Sequence, residues 1–367
     1  MQYKEFREAI ELAGEALGRG DLNPQLAKLW FDGSTVAAWD DNIAIKAACP
    51  FALEGGVDGE LLTRLVARAT GEEVAATTKA SATVFKIGAS SLKVDVRPLE
   101  ERTFSIYKPN PKAAIKVDPE LLKPALEHVL SCVGQSLEKP EYHGVTFALG
   151  TGGKDLLIYA GQPQVLVEAM VPLQAKPASN FDYVVLHEKF CRQVVKHCGK
   201  EGAIVELHNA VDPNSGGLLV HPDITVFGRS MSSGQQQLVM WDYIGQHLDD
   251  AKNWIRMPKS LTNMLDRALI FEGEHHNLEL ALEVENKRAR LRITIEEGGT
   301  RLVDLSEWVK ISSDVEPVVV KTNAKHLHTG AKLTEICVDS KRIIMQDNPK
   351  DGVRITQVAA IIATTPQ

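Results

Sequence analysis

Two stretches nearly spell each other: Val57-Asp58-Gly59-Glu60-Leu61-Leu62 and Val117-Asp118-Pro119-Glu120-Leu121-Leu122. Each is a short apolar strand running into a helix, and Asp58 is the expected N-cap of the first. Candidate helices begin near Tyr3, Gly59, Pro119, His187, Pro258 and Asn323, so the unit recurs about six times with a period of about 56–71 residues. That is longer than common solenoid periods. A helix followed by several strands in every unit implies paired units forming domains, not a rod.

The first unit pair fills residues 1–96. Phe6, Ile10, Ala13 and Leu17 share one helix face at 3.6-residue spacing. Strands are expected at Ala27–Phe31, Val36–Asp40 and Ile43–Ala48, with hairpin turns at Asp32-Gly33 and Asp40-Asp41-Asn42. A helix over Gly59–Thr70 is followed by strands at Val74–Thr78, Ala82–Ile87 and Leu92–Val96. Prolines 98, 109 and 111 among charges mark a linker across 97–114.

The second pair has a helix over 119–133, burying Leu121, Leu122, Ala125, Leu126, Val129 and Leu130, and another over His187–Cys198, burying Phe190, Cys191, Val194 and Val195. Pro124 should kink the first or shift its start. Strands are expected at 144–149, 155–160, 165–171, 203–207, 217–220 and 224–228, before a polar hinge at 229–237. The third pair has helices over Pro258–Ile270 and Asn323–Leu333. Its strands are 278–284, 289–296, 335–338, 342–346 and 355–363.

Composition is that of an ordinary globular protein, 44% apolar and 24% charged over 367 residues. No stretch approaches the roughly 20 apolar residues of a membrane span, and the start carries no signal core, so a cytoplasmic protein is expected. Five scattered cysteines read as reduced, buried thiols. Catalytic signatures are missing. There is no phosphate loop, Gly14, Gly18 and Gly20 do not follow a strand, and no Cys-x-x-Cys or Gly-x-Ser-x-Gly occurs. His275-His276 and His326/His328 lack convergent ligand spacing, so neither metal nor cofactor is expected. Asp40-Asp41 reads as a hairpin tip before it reads as a carboxylate pair. An enzyme would need a site built from scattered residues, such as the Asp40, Asp41 and His143 neighbourhood.

The helices hold the signal. Arg64 and Arg68 are spaced i, i+4, as are Arg192 and Lys196. Lys259 and Arg267 are i, i+8, and Lys325 and Lys332 are i, i+7. Each pair is expected on one helix face. Solvated amphipathic helices explain any one pair, but four helices repeating the pattern point to an anionic partner, although net charge is −7.

In order, spacing and total length the chain resembles the sliding clamps of bacterial DNA polymerase III, its beta subunit. Val117–Lys123, His143-Gly144-Val145-Thr146-Phe147, Leu156–Pro172 and Val184–Val195 carry the likeness in the middle of the chain. Phe31-Asp32-Gly33 through Asp41–Ile45, Trp241-Asp242-Tyr243 and Val358–Ile362 carry it elsewhere. The resemblance implies an α+β clamp fold of three similar domains, 1–112, 113–240 and 241–367, each with two helices on antiparallel sheets. It also implies a head-to-tail homodimeric ring that is not an enzyme. Twelve helices roughly 10 Å apart give a circumference near 120 Å and a diameter of about 38 Å, roomy for B-DNA about 20 Å wide. Double-stranded DNA would be held without sequence preference. The polymerase and a clamp loader would dock through short peptides.

By the same resemblance the ring would close through Leu92 and Val94 against Ile270 and Phe271. The peptide pocket would draw on Leu166, Trp241, Ile244, Gln246, Met345, Ile361, Ile362 and Ala363. Gly161–Val165 replaces the family's Thr-Asp-Gly-His-Arg-type loop, and the tail Ala363–Gln367 is more polar, departures that suit a phage or mobile-element member. The alternative is a clamp-like scaffold that binds proteins and never encircles DNA.

Overall fold

A computed structural model describes residues 1–21, 23–79, 81–103, 115–134, 142, 144–174, 177, 181–208, 216–231, 248, 250–270, 277–311, 314–347, 349 and 352–361. The chain packs as two units. One joins Met1–Glu120 with Pro177–Ser232, the other Leu121–Lys176 with Ser233–Gln367.

In the first unit an antiparallel sheet runs Glu54–Asp58, Lys28–Asp32, Thr35–Trp39, Ile43–Ala48, Ile224–Arg229, Gly216–His221, Ile204–Leu207, Ile115–Val117. The central seam pairs Ile45 with Val226. A three-stranded sheet follows the order Val74–Lys79, Ala82–Ile87, Ser90–Asp95. Helix α1 (Tyr3–Gly14) and helix α2 (Gly59–Arg68) pack together. Phe6 of α1 meets Phe31, Phe51 and Phe85, with ring centroids 4.8–6.4 Å apart. Asp58 caps α2, accepting from the Leu61 amide at 2.8 Å. Tyr3 anchors α1 to the end of α2, its hydroxyl donating to the carbonyls of Val66 and Ala69.

Most expected elements occur within two residues of their predicted ends. The strand at Glu54–Asp58 has no bounds from sequence, because Glu54-Gly55-Gly56 reads as loop. Gly56 is there because the Trp30 indole covers it: a Cβ would lie 2.8 Å from the ring. The linker's first part is ordered: Leu99 packs with Trp30, Ala37 and Trp39, and Thr103 donates to Gln25 Oε1 at 2.7–2.9 Å.

The second unit has α3 (Pro119–Leu130), α5 (Leu261–Leu269) and the short α6 (Ala324–His328), α4 belonging to the first unit (Glu188–His197). A sheet follows the order Gly144–Leu149, Asp155–Gln162, Val165–Pro172, Arg354–Ala360, Arg342–Asp347, Glu335–Val338, Trp254–Arg256. Another runs Thr300–Leu305, Arg288–Glu297, Asn277–Glu285, Val318–Asn323, with Val309–Lys310 also on Arg288–Ala289. Here Thr300–Leu305, Val309–Lys310, Val318–Asn323 and Trp254–Arg256 were not anticipated. They are short or alternate charged with apolar residues, which reads as loop.

Helix α3 continues through the exposed Pro124, so no break occurs there; the missing N–H leaves the Glu120 carbonyl without its usual helix partner. Leu17, Leu121 and Val195, expected in the core, are half-buried. The helices also bury three polar residues that periodicity did not mark, His128, Gln193 and His197. His128 and Gln193 each belong to a polar bridge, one in each unit. In the first unit, Glu15 after α1 accepts from Gln193 and Lys196 of α4, and Lys189 of α4 pairs with Asp40. In the second, His128 Nε2 of α3 lies 2.9 Å from Gln357 Oε1, while the Gln357 amide donates to the His326 carbonyl of α6.

Asp40 also accepts the amides of Asn42 and Ile43 at 3.0–3.1 Å, and Asp41 has φ +70°, as its place at a hairpin tip requires. All five cysteines are buried and free. Burial pushes Cys132 and Cys337 up to about 11 and Cys49 up to about 12, which keeps these thiols protonated and inert.

Candidate functional site

All eight predicted DNA-facing cations are exposed. Arg64 and Arg68 lie on α2, and Arg192 and Lys196 on α4, as spacing requires. Both helices bury their opposite stripe, Leu62 and Val66 in one, Phe190, Cys191 and Val194 in the other. The other two pairs do not share a helix. Helix α5 starts only at Leu261, so Lys259 precedes it. Glu307 accounts for this: its carboxylate accepts from the Lys259 and Ser260 amides and the Ser260 hydroxyl, capping the helix late. Helix α6 ends at His328, and Lys332 sits in a 3-10 turn at Gly330–Lys332. Gly330 packs so closely on Met345 that a Cβ would meet its sulfur at 2.5 Å, and the chain turns there.

Four of the eight cations carry carboxylate partners. Arg64 pairs with Glu60, and Arg192 Nη2 with Glu188 Oε2 at 2.7 Å. Lys196 pairs with Glu15, and Arg267 Nε with Asp304 Oδ2 at 2.6 Å. Sequence reasoning weighed only like-charge pairs; Glu60–Arg64 and Glu188–Arg192 were legible as i, i+4 opposite-charge pairs. Among the described residues Arg68, Lys259, Lys325 and Lys332 have no carboxylate partner.

A second candidate site is an apolar cross-strand ladder in the second unit. Leu166 faces Val358, Val358 faces Ile344, Ile344 faces Cys337, and Cys337 faces Trp254. Leu248 and Ala251 pack against it, and Leu166 and Trp254 are only half-buried. Of the three predicted pocket residues that are described, Leu166 belongs to this ladder and Met345 and Ile361 do not. Met345 is fully buried on the opposite, helix-side core, with Ile361 packed against that same core. Successive strand residues point to opposite faces, so Ile344, not Met345, lies on the ladder. Trp241, Ile244, Gln246, Ile362 and Ala363 lie outside the described residues, as do His143, His275, His276 and Phe271.

Two residues along from Leu166, Glu168 lies on the same face. It is 8% exposed, and its Oε2 has no hydrogen-bond partner among the described residues. Burial pushes its carboxyl up to about 7, against a weaker pull down from Arg354.

The predicted ring-closing residues divide. Ile270 is 74% exposed, whereas Val94 is core and Leu92 half-buried. Their strand, Ser90–Asp95, is a sheet edge. The matching edge in the second unit is Thr300–Leu305, which exposes Val303 and Leu305. Its Asp304 holds Arg267 of the helix that ends beside Ile270.

No group of histidine, cysteine and carboxylate side chains among the described residues could hold a metal. No helix among them is long and apolar enough to cross a membrane. No family profile and no curated protein matches the sequence. Solved structures do. The DNA polymerase sliding clamp of Bacillus subtilis superposes with a TM-score of 0.77 at 16% identity, covering 100% of this chain and 98% of that one. The fold is that of the DNA polymerase sliding clamps. The DNA polymerase III beta subunit of Thermotoga maritima gives 0.75 at 18% identity, covering 100% and 99%. The Helicobacter pylori beta clamp, solved with a DNA ligase peptide, gives 0.76 at 13% identity, covering 99% of each chain. The α+β clamp fold expected from sequence therefore spans this chain from end to end.

Proposed function

We propose that this chain is a DNA sliding clamp, a processivity factor of replication that is not itself an enzyme. The observation that carries the reading is the end-to-end match to clamps, 99–100% of this chain with TM-scores of 0.75–0.78. Three clamp domains, 1–112, 113–240 and 241–367, follow from the reading. Its support is that the first sheet joins strand 43–48 to 224–229, while the second joins 165–172 to 354–360. Two copies would close head to tail in the cytoplasm. The edge strands Ser90–Asp95 and Thr300–Leu305 would pair across the junction, with Leu92, Ile270, Phe271, Val303 and Leu305 excluding water.

Double-stranded DNA would pass through the ring. Arg64, Arg68, Arg192, Lys196, Lys259, Arg267, Lys325 and Lys332 would contact phosphates only, so binding would carry no sequence preference. The polymerase and a separate loader would dock by short apolar peptides on the ladder around Leu166, Ile344, Val358 and Trp254. The test is retention on nicked circular DNA after loading, with loss when the circle is cut. Equal retention on circle and linear duplex refutes encirclement.

The pairing of four cations with carboxylates favours one alternative, a clamp-like scaffold that binds proteins without DNA. A monomer at micromolar concentration in sedimentation would select it.

A further inference from the structure

We propose that Glu188 and Asp304 are built-in counter-charges that hold Arg192 and Arg267 back from duplex phosphate, loosening the grip of the ring so that it slides. This rests on the clamp reading and adds a specific electrostatic device to it.

The geometry is the same at both places. The arginine is outermost, with side chains 53% and 50% exposed, and the acid lies beneath it, at 18% and 17%. Arg192 donates to Glu188 Oε2 through both Nε and Nη2, at 3.0 and 2.7 Å. Arg267 binds Asp304 Oδ2 through Nε at 2.6 Å and also through Nη2. The two acids reach their arginines by different routes, one from the preceding helical turn and one from a neighbouring strand. Helix stabilisation explains the first alone; it does not explain the second. Lys196 over Glu15 repeats the arrangement less steeply, and Arg64 pairs with an equally exposed Glu60, so half of the candidate DNA-facing cations carry a carboxylate partner.

The physical consequence is a surface that is cationic in composition and weak in field. An arginine whose charge is balanced from below releases fewer counterions when a phosphate approaches. A protein that must move along the duplex without choosing a place gains from shallow, uniform contacts. The four cations without carboxylate partners keep a residual attraction.

The experiment is the salt dependence of binding to a linear duplex by the full-length chain, for wild type, Glu188→Gln, Asp304→Asn and the double variant. Each neutral isostere keeps a hydrogen-bond acceptor under its arginine. The expected result is a slope of log K against log salt steeper by about 0.9 for each arginine freed, so about 1.8 in the double variant. Glu188→Asp keeps the charge and should retain the wild-type slope. Glu283→Gln is the charge-matched control. Glu283 binds Arg290 and Arg292 on the strand face opposite the helix-side core residues Leu282 and Leu291, so its loss should leave the slope unchanged. An unchanged slope in the folded double variant, or an equal steepening by Glu283→Gln, overturns the proposal. Encirclement is scored separately by nicked-circle retention, so either idea can fail alone.

Discussion

Replacing Gly228 by alanine should loosen α4 from its sheet. Phe190 of α4 is fully buried, and its ring sits over two glycines of adjacent strands, Gly217 and Gly228. A Cβ on Gly228 would lie 2.5 Å from Phe190 Cγ and 2.7 Å from its Cβ. Carbon contacts settle at about 3.5–4.0 Å, so the two must separate by about 1 Å. The ring cannot swing clear, because the clash reaches Phe190 Cβ, next to the helix backbone. The helix itself must move. Overpacking of this kind costs about 1–3 kcal/mol. For a unit of 150–250 residues that lowers Tm by about 2–12 °C. Calorimetry or circular dichroism measures it. The double variant Phe190→Leu/Gly228→Ala should lose less than the sum of its single variants, since the smaller side chain makes room. A Tm within 1 °C of wild type for Gly228→Ala, or strict additivity in the cycle, would refute the packing argument.

Burial, with Lys200 and Lys196 nearby, holds His197 down to about 4, below its ordinary 6.5. The folded state therefore prefers the neutral ring, and this contribution, complete above pH 6.5, should be lost as pH falls toward 4. His197→Gln should flatten the acid limb of stability by about 1–3 kcal/mol in a pH-dependent urea titration. Glu168 has the opposite sign. Its raised value means that stability should fall as pH rises from about 4.5 through 7, and Glu168→Gln should remove that fall in the same titration. Gln357→Ala strips His128 of its buried partner and should cost about 1–3 kcal/mol, read as lowered Tm. Ile270→Glu places a charge on the apolar edge and should convert the proposed dimer to monomer in sedimentation; an unchanged dimer would move the interface elsewhere.

Repeat and order were legible because helical and strand periods are local properties. Phe6, Ile10 and Ala13, or Leu122, Ala125, Leu126 and Val129, announce their buried faces by spacing alone. What stayed hidden depends on partners distant in sequence. Gly56 is a strand residue only because Trp30 lies on it, and α5 starts late only because Glu307 arrives from a loop. The pleat was not legible either: resemblance pointed to Met345 together with Leu166, whereas Ile344 shares the face of Leu166 and Met345 lies in the helix-side core. The exposure of the cations was legible and their counter-ions were not, since Asp304 and Glu15 reach Arg267 and Lys196 from afar in the sequence.

Helix α4 is fastened by its polar stripe to the first hairpin and to the end of α1, through Lys189, Gln193 and Lys196. Mechanically this ties α4, the first hairpin and α1 into one piece. If the proposed ring is opened by a loader, the bend should fall outside this piece, and a crosslink between Glu15 and Lys196 should leave opening untouched.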